Sequence, residues 1–311
     1  MDGHANILLV GTGAVGGYFA GRLALGGSRV AALCRSDYDI VKERGITVTS
    51  VAGDFHFKPA AVIKNVDEYD HEPDYIIVAT KVLPEINIRS LIGPRVYPKT
   101  AIVLLQNGIE IEEPVAASFP GNEIISAIAF ISVSRPEYGL INHRDYGRLT
   151  IGNYPSGASD KTARLAEIFR LTGVRCDIDH DIITARWRKL MWNAPFNPLS
   201  VLCGGADTRE MMESDHVVSL AVNTMKEIMV LAALSGHHVS ESAITAIIED
   251  TRKMAPTKTS MLQDYESKRP LEVEAILGNT ARIARRLDVS TPHLDTLHAL
   301  LETVDRKNRT R

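Results

Sequence analysis

A chain of 311 residues is long enough for about two domains of ordinary size, each with its own core. Its 45% hydrophobic and 23% charged residues are those of a soluble globular protein, and a formal net charge of -3 asks for no nucleic-acid or membrane partner. Cys34, Cys176 and Cys203 lie far apart, with neither a CxxC pair nor a metal-ligand spacing, so neither a disulfide framework nor zinc is expected, and the expected compartment is a reducing cytoplasm.

The N-terminus, "MDGHANILLVGTG", enters a short apolar run without the basic region and longer apolar core of a signal peptide. No apolar run approaches the roughly 18 residues needed to span a bilayer. "NILLV" predicts a buried strand, "AVGGYFAGRLALGG" a helix closed by glycines, and "RVAALC" the next strand. Between Gly45 and Ile63 the chain alternates with period two around a Gly turn, which predicts a hairpin inserted into the series. "YIIVAT", "AIVLLQ" and "EIISAIAFISV" are further strands, separated by polar or helical stretches such as "LPEINIRSLIG". Alternation of this kind predicts a mostly parallel sheet covered on both faces, an α/β fold with an N-terminal Rossmann-type doubly wound sheet.

After about His180 the character changes. "DIITARWRKLMW", "SDHVVSLAVNTMKEIMVLAALSG", "SESAITAIIEDTRKM" and "LEVEAILGNTARIARRLDV" all place apolar residues at helical spacing, so an all-helical C-terminal domain is expected. The expected domains are 1–179 and 180–311. The tail "DRKNRTR" reads as a solvated end, and no internal repeat or low-complexity segment is present.

"GTGAVG", Gly11 to Gly16, follows a strand and opens a helix. In that setting Gly11 makes the tight turn, Gly13 lets the backbone approach a pyrophosphate, and Gly16 permits close helix-strand packing, with Ala14 and Val15 completing the loop. The helix N-terminus then offers free N–H groups and a positive dipole end to phosphates. The plain alternative is a turn that merely packs. Arg35 stands nineteen positions after Gly16, where an NAD site usually carries an acid. A carboxylate would repel a 2'-phosphate and a guanidinium can hold it, so NADPH is expected rather than NADH. The other reading makes Arg35 a solvated loop residue and gives the acidic part to Asp37.

Lys81 and Asn107 each follow a strand, and in a doubly wound sheet the carboxyl ends of the strands line the ligand crevice. An exposed lysine and a plain Asn-Gly turn are the structural alternatives. In "RWRKLMWNAPFNP", Lys189, Asn193 and Asn197 come at intervals of four, and steps of four drift only about 40° around a helix, so all three stay near one face. Such a row fits a satisfied structural network, a metal-free polar binding site, or a catalytic lysine with its helpers. "TSMLQDYESKRPLEVEAILGN" sets Ser260 and Glu272 on either side of a basic connection. The histidines show no HExxH or similar spacing, and no metal is assigned.

Taken together, "GTGAVGGYFAGRLA", the "CR" ending the second strand, "TK", "QNG", "KLMWNAPFNPLS" and "TSMLQDYESKRPLEVEAILGN" resemble the ketopantoate reductase (2-dehydropantoate 2-reductase) family, in family order over nearly the whole chain. The resemblance implies NADPH-dependent reduction of 2-dehydropantoate to (R)-pantoate, a step toward pantothenate, in a cleft between the two domains. By the same resemblance Lys189 is the catalytic lysine and Glu272 its partner carboxylate. Asn193, Asn197 and Ser260 fall on substrate-binding positions, and Asn107 and Lys81 on crevice positions beside the nicotinamide, with Asn107 also within reach of substrate. The expected partner is a small-molecule 2-oxo acid, with a homodimer left open. Rival readings are a reductase of another short 2-oxo acid and a non-catalytic NADPH-binding sensor. The chain departs from the family pattern at Pro195 and Pro198 in the lysine helix, at Asp207, where the family generally has an asparagine, and at Pro84, where it often has a glutamine.

Overall fold

Residues 4–310 are described by a computed structural model. The strands are β1 (Asn6–Val10), β2 (Arg29–Leu33), β3 (Ile46–Ser50), β4 (Phe55–Phe57), β5 (Ala61–Ile63), β6 (Tyr75–Val78), β7 (Ala101–Leu104), β8 (Ile124–Glu137), β9 (Leu140–Asn153) and β10 (Cys176–Ile178). They form one ten-stranded sheet in the order β4-β3-β9-β8-β7-β6-β1-β2-β5, with β10 added to β9. Ile7, Leu8, Leu9 and Val10 of β1 are all buried, as a central parallel strand shielded on both faces requires.

The sheet is mixed. β8–β9 and β3–β4 pair antiparallel, and the remaining pairings are parallel. The expected hairpin after Gly45 forms between β3 and β4, with Ile46 opposite Phe57. It is shorter than the period-two run suggested. Pro59 has no N–H to give an antiparallel ladder, and the chain turns back so that β5 pairs parallel with β2, Ala31 opposite Ala61.

The long β8–β9 hairpin is the largest feature not expected from the pattern. Its register shifts three times, between Phe130 and Ile131, Ser132 and Val133, and Ser134 and Glu137. Each shift breaks strict alternation, and β9 ("LINHRDYGRLTIGN") carries polar residues on both parities. Helix Ala14–Leu25 lies against β8 and β9, and its Phe19 meets Phe169 of helix Asp160–Leu171 edge-on, with ring centroids 6.0 Å apart. Both rings are fully buried, which stabilises the fold by about 1.5–3 kcal/mol for each.

The described residues divide into two compact units. The first holds the residues up to Lys81, Glu85–Gln106 and Glu112–Ile182; the second holds Val82–Pro84, Asn107–Ile111 and the chain from Ile183 on. Helices Ile182–Leu202, Thr208–Glu213, Asp215–Leu234, Ser242–Lys253, Ser260–Glu266, Asn279–Arg286 and Pro292–Arg309 build the second, around a core that includes Trp187, Met191, Phe196, Met225, Leu277 and Leu301. Pro195 and Pro198 lie inside helix Ile182–Leu202 without ending it.

Against the expectation that no run approaches membrane-spanning length, helix Asp215–Leu234 is long and apolar enough by composition, with a mean hydropathy of 1.6 over an 18-residue window. The reason is averaging: Asn223, Lys226 and Glu227 interrupt the apolar run but leave its mean high. A third of that window is buried in the unit, where the helix packs against helix Pro292–Arg309.

Candidate active site

In the first unit, the glycine loop has the shape its sequence asks for. Gly11 has φ +104°, and a methyl group there would lie 2.8 Å from the Thr80 nitrogen. At Gly16 a methyl would come within 2.2 Å of the Gly11 carbonyl oxygen, so helix Ala14–Leu25 closes on the loop because Gly16 has no side chain, and the loop closes on the segment after β6 because Gly11 has none. Gly13 differs: a Cβ there would meet nothing within 4 Å. The protein does not demand glycine at this position for its own packing. The open space lies over the N-terminus of a twelve-residue helix whose first turn carries no acidic residue, a cradle that fits a pyrophosphate. Ala14 and Val15 are partly exposed beside it.

At the end of β2, Arg35 is exposed while Asp37 is buried, 3% exposed. The Asp37 carboxylate oxygen Oδ2 accepts the Thr12 hydroxyl at 2.5 Å and Arg135 Nη1 at 3.0 Å. Lys81 is partly buried just beyond β6, and Gln106 Nε2 donates to the Thr80 carbonyl at 2.7 Å, tying together the segments that leave β6 and β7.

In the second unit, the polar residues converge. Lys189 Nζ donates to Asn107 Oδ1 at 2.9 Å, and Asn107 Nδ2 donates to Glu272 Oε2 at 3.4 Å. The other Glu272 oxygen accepts the Val82 N–H at 3.0 Å. A cleft is lined by Asn107, Gly108, Arg186, Lys189, Leu190 and Asn193, so three predicted site residues share one small space. Asn107 is held there by its own loop: the Ile109 N–H bonds the Ala275 carbonyl at 3.2 Å, Asn279 Nδ2 bonds the Ile109 carbonyl at 2.6 Å, and Arg286 pairs with Glu110. Glu272 immediately precedes the helical stretch that contains the π-turn Glu274–Gly278, a widened turn of a kind often found beside functional residues.

Burial is the largest cause that lowers the Lys189 pKa, to about 7; the Arg186 cation pushes the same way and the Glu272 carboxylate opposes both. An amine poised near neutrality can give and take a proton under working conditions.

Asn193 is 7% exposed and Asn197 only 1%, and the Asn197 side-chain oxygen is buried without a hydrogen-bond partner. Ser260 is exposed at the first position of helix Ser260–Glu266, and no hydrogen bond places it with the Lys189 cluster among the described residues. Its helix is nonetheless tied to the lysine helix one residue away. Ser200 Oγ donates to the Asn197 carbonyl at 2.7 Å and lies 2.6 Å from the hydroxyl of Thr259, which caps that helix. Asp207 is engaged in a reciprocal cap of helix Thr208–Glu213: its carboxylate accepts the Glu210 N–H at 3.0 Å, and Glu210 accepts the Asp207 N–H at 2.9 Å.

Two elements of the site were missed in the sequence. Arg186, 3% exposed, lies three residues before Lys189 and bonds the Gly108 carbonyl at 3.2 Å; its spacing within "RWRK" was the available signal. The Thr12–Asp37–Arg135 cluster joins residues up to 123 positions apart and had no local signal. Among the described residues, no group of three or more His, Cys, Asp or Glu side chains is arranged to hold a metal ion.

Comparison with known proteins places most of the chain in one family. Residues 7–156 match the family model described as ketopantoate reductase PanE/ApbA, and residues 181–305 match its C-terminal counterpart. A 2-dehydropantoate 2-reductase of Nostoc is 34% identical over 97% of this chain and 96% of the relative. Among solved structures, a 2-dehydropantoate 2-reductase from Methylococcus capsulatus is 43% identical with a TM-score of 0.91, covering 97% of each chain. One from Geobacter metallireducens is 31% identical with a TM-score of 0.90, covering 96% of this chain and 99% of that one.

Proposed function

The chain belongs to the ketopantoate reductase family, and from that premise we propose that it reduces 2-dehydropantoate to (R)-pantoate with NADPH. The observation that carries the reading is the Lys189–Asn107–Glu272 chain of hydrogen bonds beside a cleft that Asn193 also lines. A sensor that only bound nucleotide would need the glycine loop but not a lysine poised at about pH 7.

Bound NADPH supplies the hydride. The Gly11–Gly16 loop would hold its pyrophosphate and Arg35 its 2'-phosphate, and Lys81 would serve the nicotinamide end. The work left to the chain is to bind the 2-oxo acid, polarise its carbonyl and deliver a proton to the oxygen. Lys189 does the last two: its ammonium stabilises negative charge developing on the oxygen and then gives up a proton to it. Asn107 accepts a second Lys189 proton, which fixes the direction of the donor, and Glu272 fixes the amide. Asn193, Asn197 and Ser260 bind the acid through neutral groups, which adds no charge opposed to a carboxylate. The orphaned oxygen of Asn197 gives that role a physical basis, since a buried acceptor left unpaired costs about 1–3 kcal/mol that a substrate hydroxyl would recover.

The direct test is oxidation of NADPH followed by absorbance, with and without ketopantoate. Oxidation that does not depend on ketopantoate, or that is faster with straight-chain 2-oxo acids, would overturn the named substrate. Association into a homodimer is part of the same reading, and sedimentation of the purified protein tests it.

Two substitutions refine it. Arg35→Ala is expected to weaken NADPH and leave NADH nearly unchanged, by about 1.5 to 3 kcal/mol for a hydrogen bond to a charged group. Equal losses for both cofactors would remove Arg35 from the 2'-phosphate. Asp207→Asn is expected to leave the ranking of 2-oxo acids by kcat/KM unaltered, because the carboxylate serves the helix cap and asparagine caps a helix equally well. A large gain for ketopantoate in the variant would show that the Asp207 charge reaches the substrate.

A further inference from the structure

We propose that Arg135 is a second determinant of cofactor choice, held by Asp37 against the glycine loop so that its guanidinium takes part in binding the 2'-phosphate. The inference rests on the reading that NADPH is the cofactor and deepens it. Arg35 was legible at the end of β2; Arg135 comes from the far half of β8, yet its Nη1 donates both to the Thr12 carbonyl in the glycine loop, at 3.3 Å, and to Asp37, two residues after Arg35, at 3.0 Å.

The role of Asp37 explains why a cation is needed there. A carboxylate near the end of β2 is the device by which a Rossmann site holds the ribose hydroxyls of NAD, and its charge repels a 2'-phosphate. In this chain the carboxylate is buried and takes the Thr12 hydroxyl and the Arg135 guanidinium on one oxygen, so its charge is matched within the protein. The positive charge of Arg35 then acts on the cofactor without a competing anion. Arginine carries five N–H donors in a rigid fork, and a phosphate can share that fork with Asp37. The Arg135 side chain is 21% exposed, and its Cζ lies 5.1 Å from the centre of the Tyr138 ring, which steadies the guanidinium at the surface.

The test is equilibrium binding, which needs no substrate. NADPH and NADH are titrated against wild type, Arg135→Gln and Arg135→Lys by the change in nicotinamide fluorescence, at low and high salt, with competition by 2'-AMP and 5'-AMP. Arg135→Gln keeps hydrogen-bonding groups for Asp37 and removes the charge. It is expected to weaken NADPH and 2'-AMP by about tenfold or more while changing NADH and 5'-AMP little, with most of the affinity restored in Arg135→Lys. The difference from wild type should narrow as salt rises. Equal weakening of all four ligands would make Arg135 a brace for the loop, and unchanged binding of all four would remove it from the site; either result overturns the proposal. Wild type that binds NADH more tightly than NADPH would instead overturn the underlying cofactor reading, and failure to turn over ketopantoate would touch neither titration.

Discussion

Lys189→Ala is expected to lower kcat by about a hundredfold to ten-thousandfold, the usual contribution of a positioned general acid, while the affinity for NADPH stays near that of wild type. The split follows from where the groups reside. The glycine loop and Arg35 belong to the first unit and Lys189 to the second, and the ammonium is needed most when charge builds on the carbonyl oxygen. The pH dependence supplies a second signature. With its pKa held down to about 7 by burial and by Arg186, Lys189 keeps its proton below neutrality and loses it above. Reduction needs the ammonium, so its rate should fall as pH rises past about 7, whereas oxidation of pantoate needs the neutral amine and should rise over the same range. Single-turnover and steady-state rates at saturating substrate decide the matter. A loss under about tenfold, or a pH limb that survives in the variant, would take Lys189 out of the chemical step.

Legibility of this fold in the sequence followed how local the determinants are. The turn from β1 into helix Ala14–Leu25 could be read directly, because Gly11 is demanded by its own φ of +104° and Gly16 by the Gly11 carbonyl within the same strand-turn-helix unit. The helical spacing of Lys189 and Asn193 placed both on the cleft they share. The β8–β9 hairpin was opaque for a physical reason: three register shifts carry its residues across the faces, and much of the distal half of β8 is only partly buried, so neither strict alternation nor a continuous apolar run marks it.

The same distinction separates the site residues. Asn107 could be recognised as a strand-end residue, but its bond to Lys189 spans 82 positions and depends on a loop held by Ala275, Asn279 and Arg286. Asp37 is legible in the sequence as the alternative acid of the nucleotide site. What decides its part is Arg135, 98 positions away on another strand, which no local pattern could supply. Asp207 shows the converse. A carboxylate in place of the family asparagine raises the question of a charge near substrate, and the sequence also contains an answer, since Asp207 and Glu210 stand at the two ends of a capping box.

Glu272 carries the second large effect, because one carboxylate serves three neighbours. It accepts the Val82 N–H, receives the Asn107 amide and opposes the influences that strip the proton from Lys189. Glu272→Ala removes all three services, and a fall in kcat/KM of about tenfold to a hundredfold at neutral pH is expected, the equivalent of about 1.5 to 3 kcal/mol for a lost hydrogen bond to a charged group. Glu272→Gln separates charge from geometry. Its amide oxygen can still accept from Val82, but burial and Arg186 then act on Lys189 without an opposing anion, so the lysine pKa drops further. The sign follows directly: the pH at which reduction declines should move to lower values in both variants, and the rise of pantoate oxidation should move the same way. Activity of Glu272→Gln should recover when the assay is made more acidic, while that of Glu272→Ala should recover only in part, because Asn107 and Val82 have lost their acceptor. pH profiles of kcat in both directions would measure this. A reduction limb that stays at the wild-type pH in both variants would confine Glu272 to holding the loop and deny it any part in setting the acidity of Lys189.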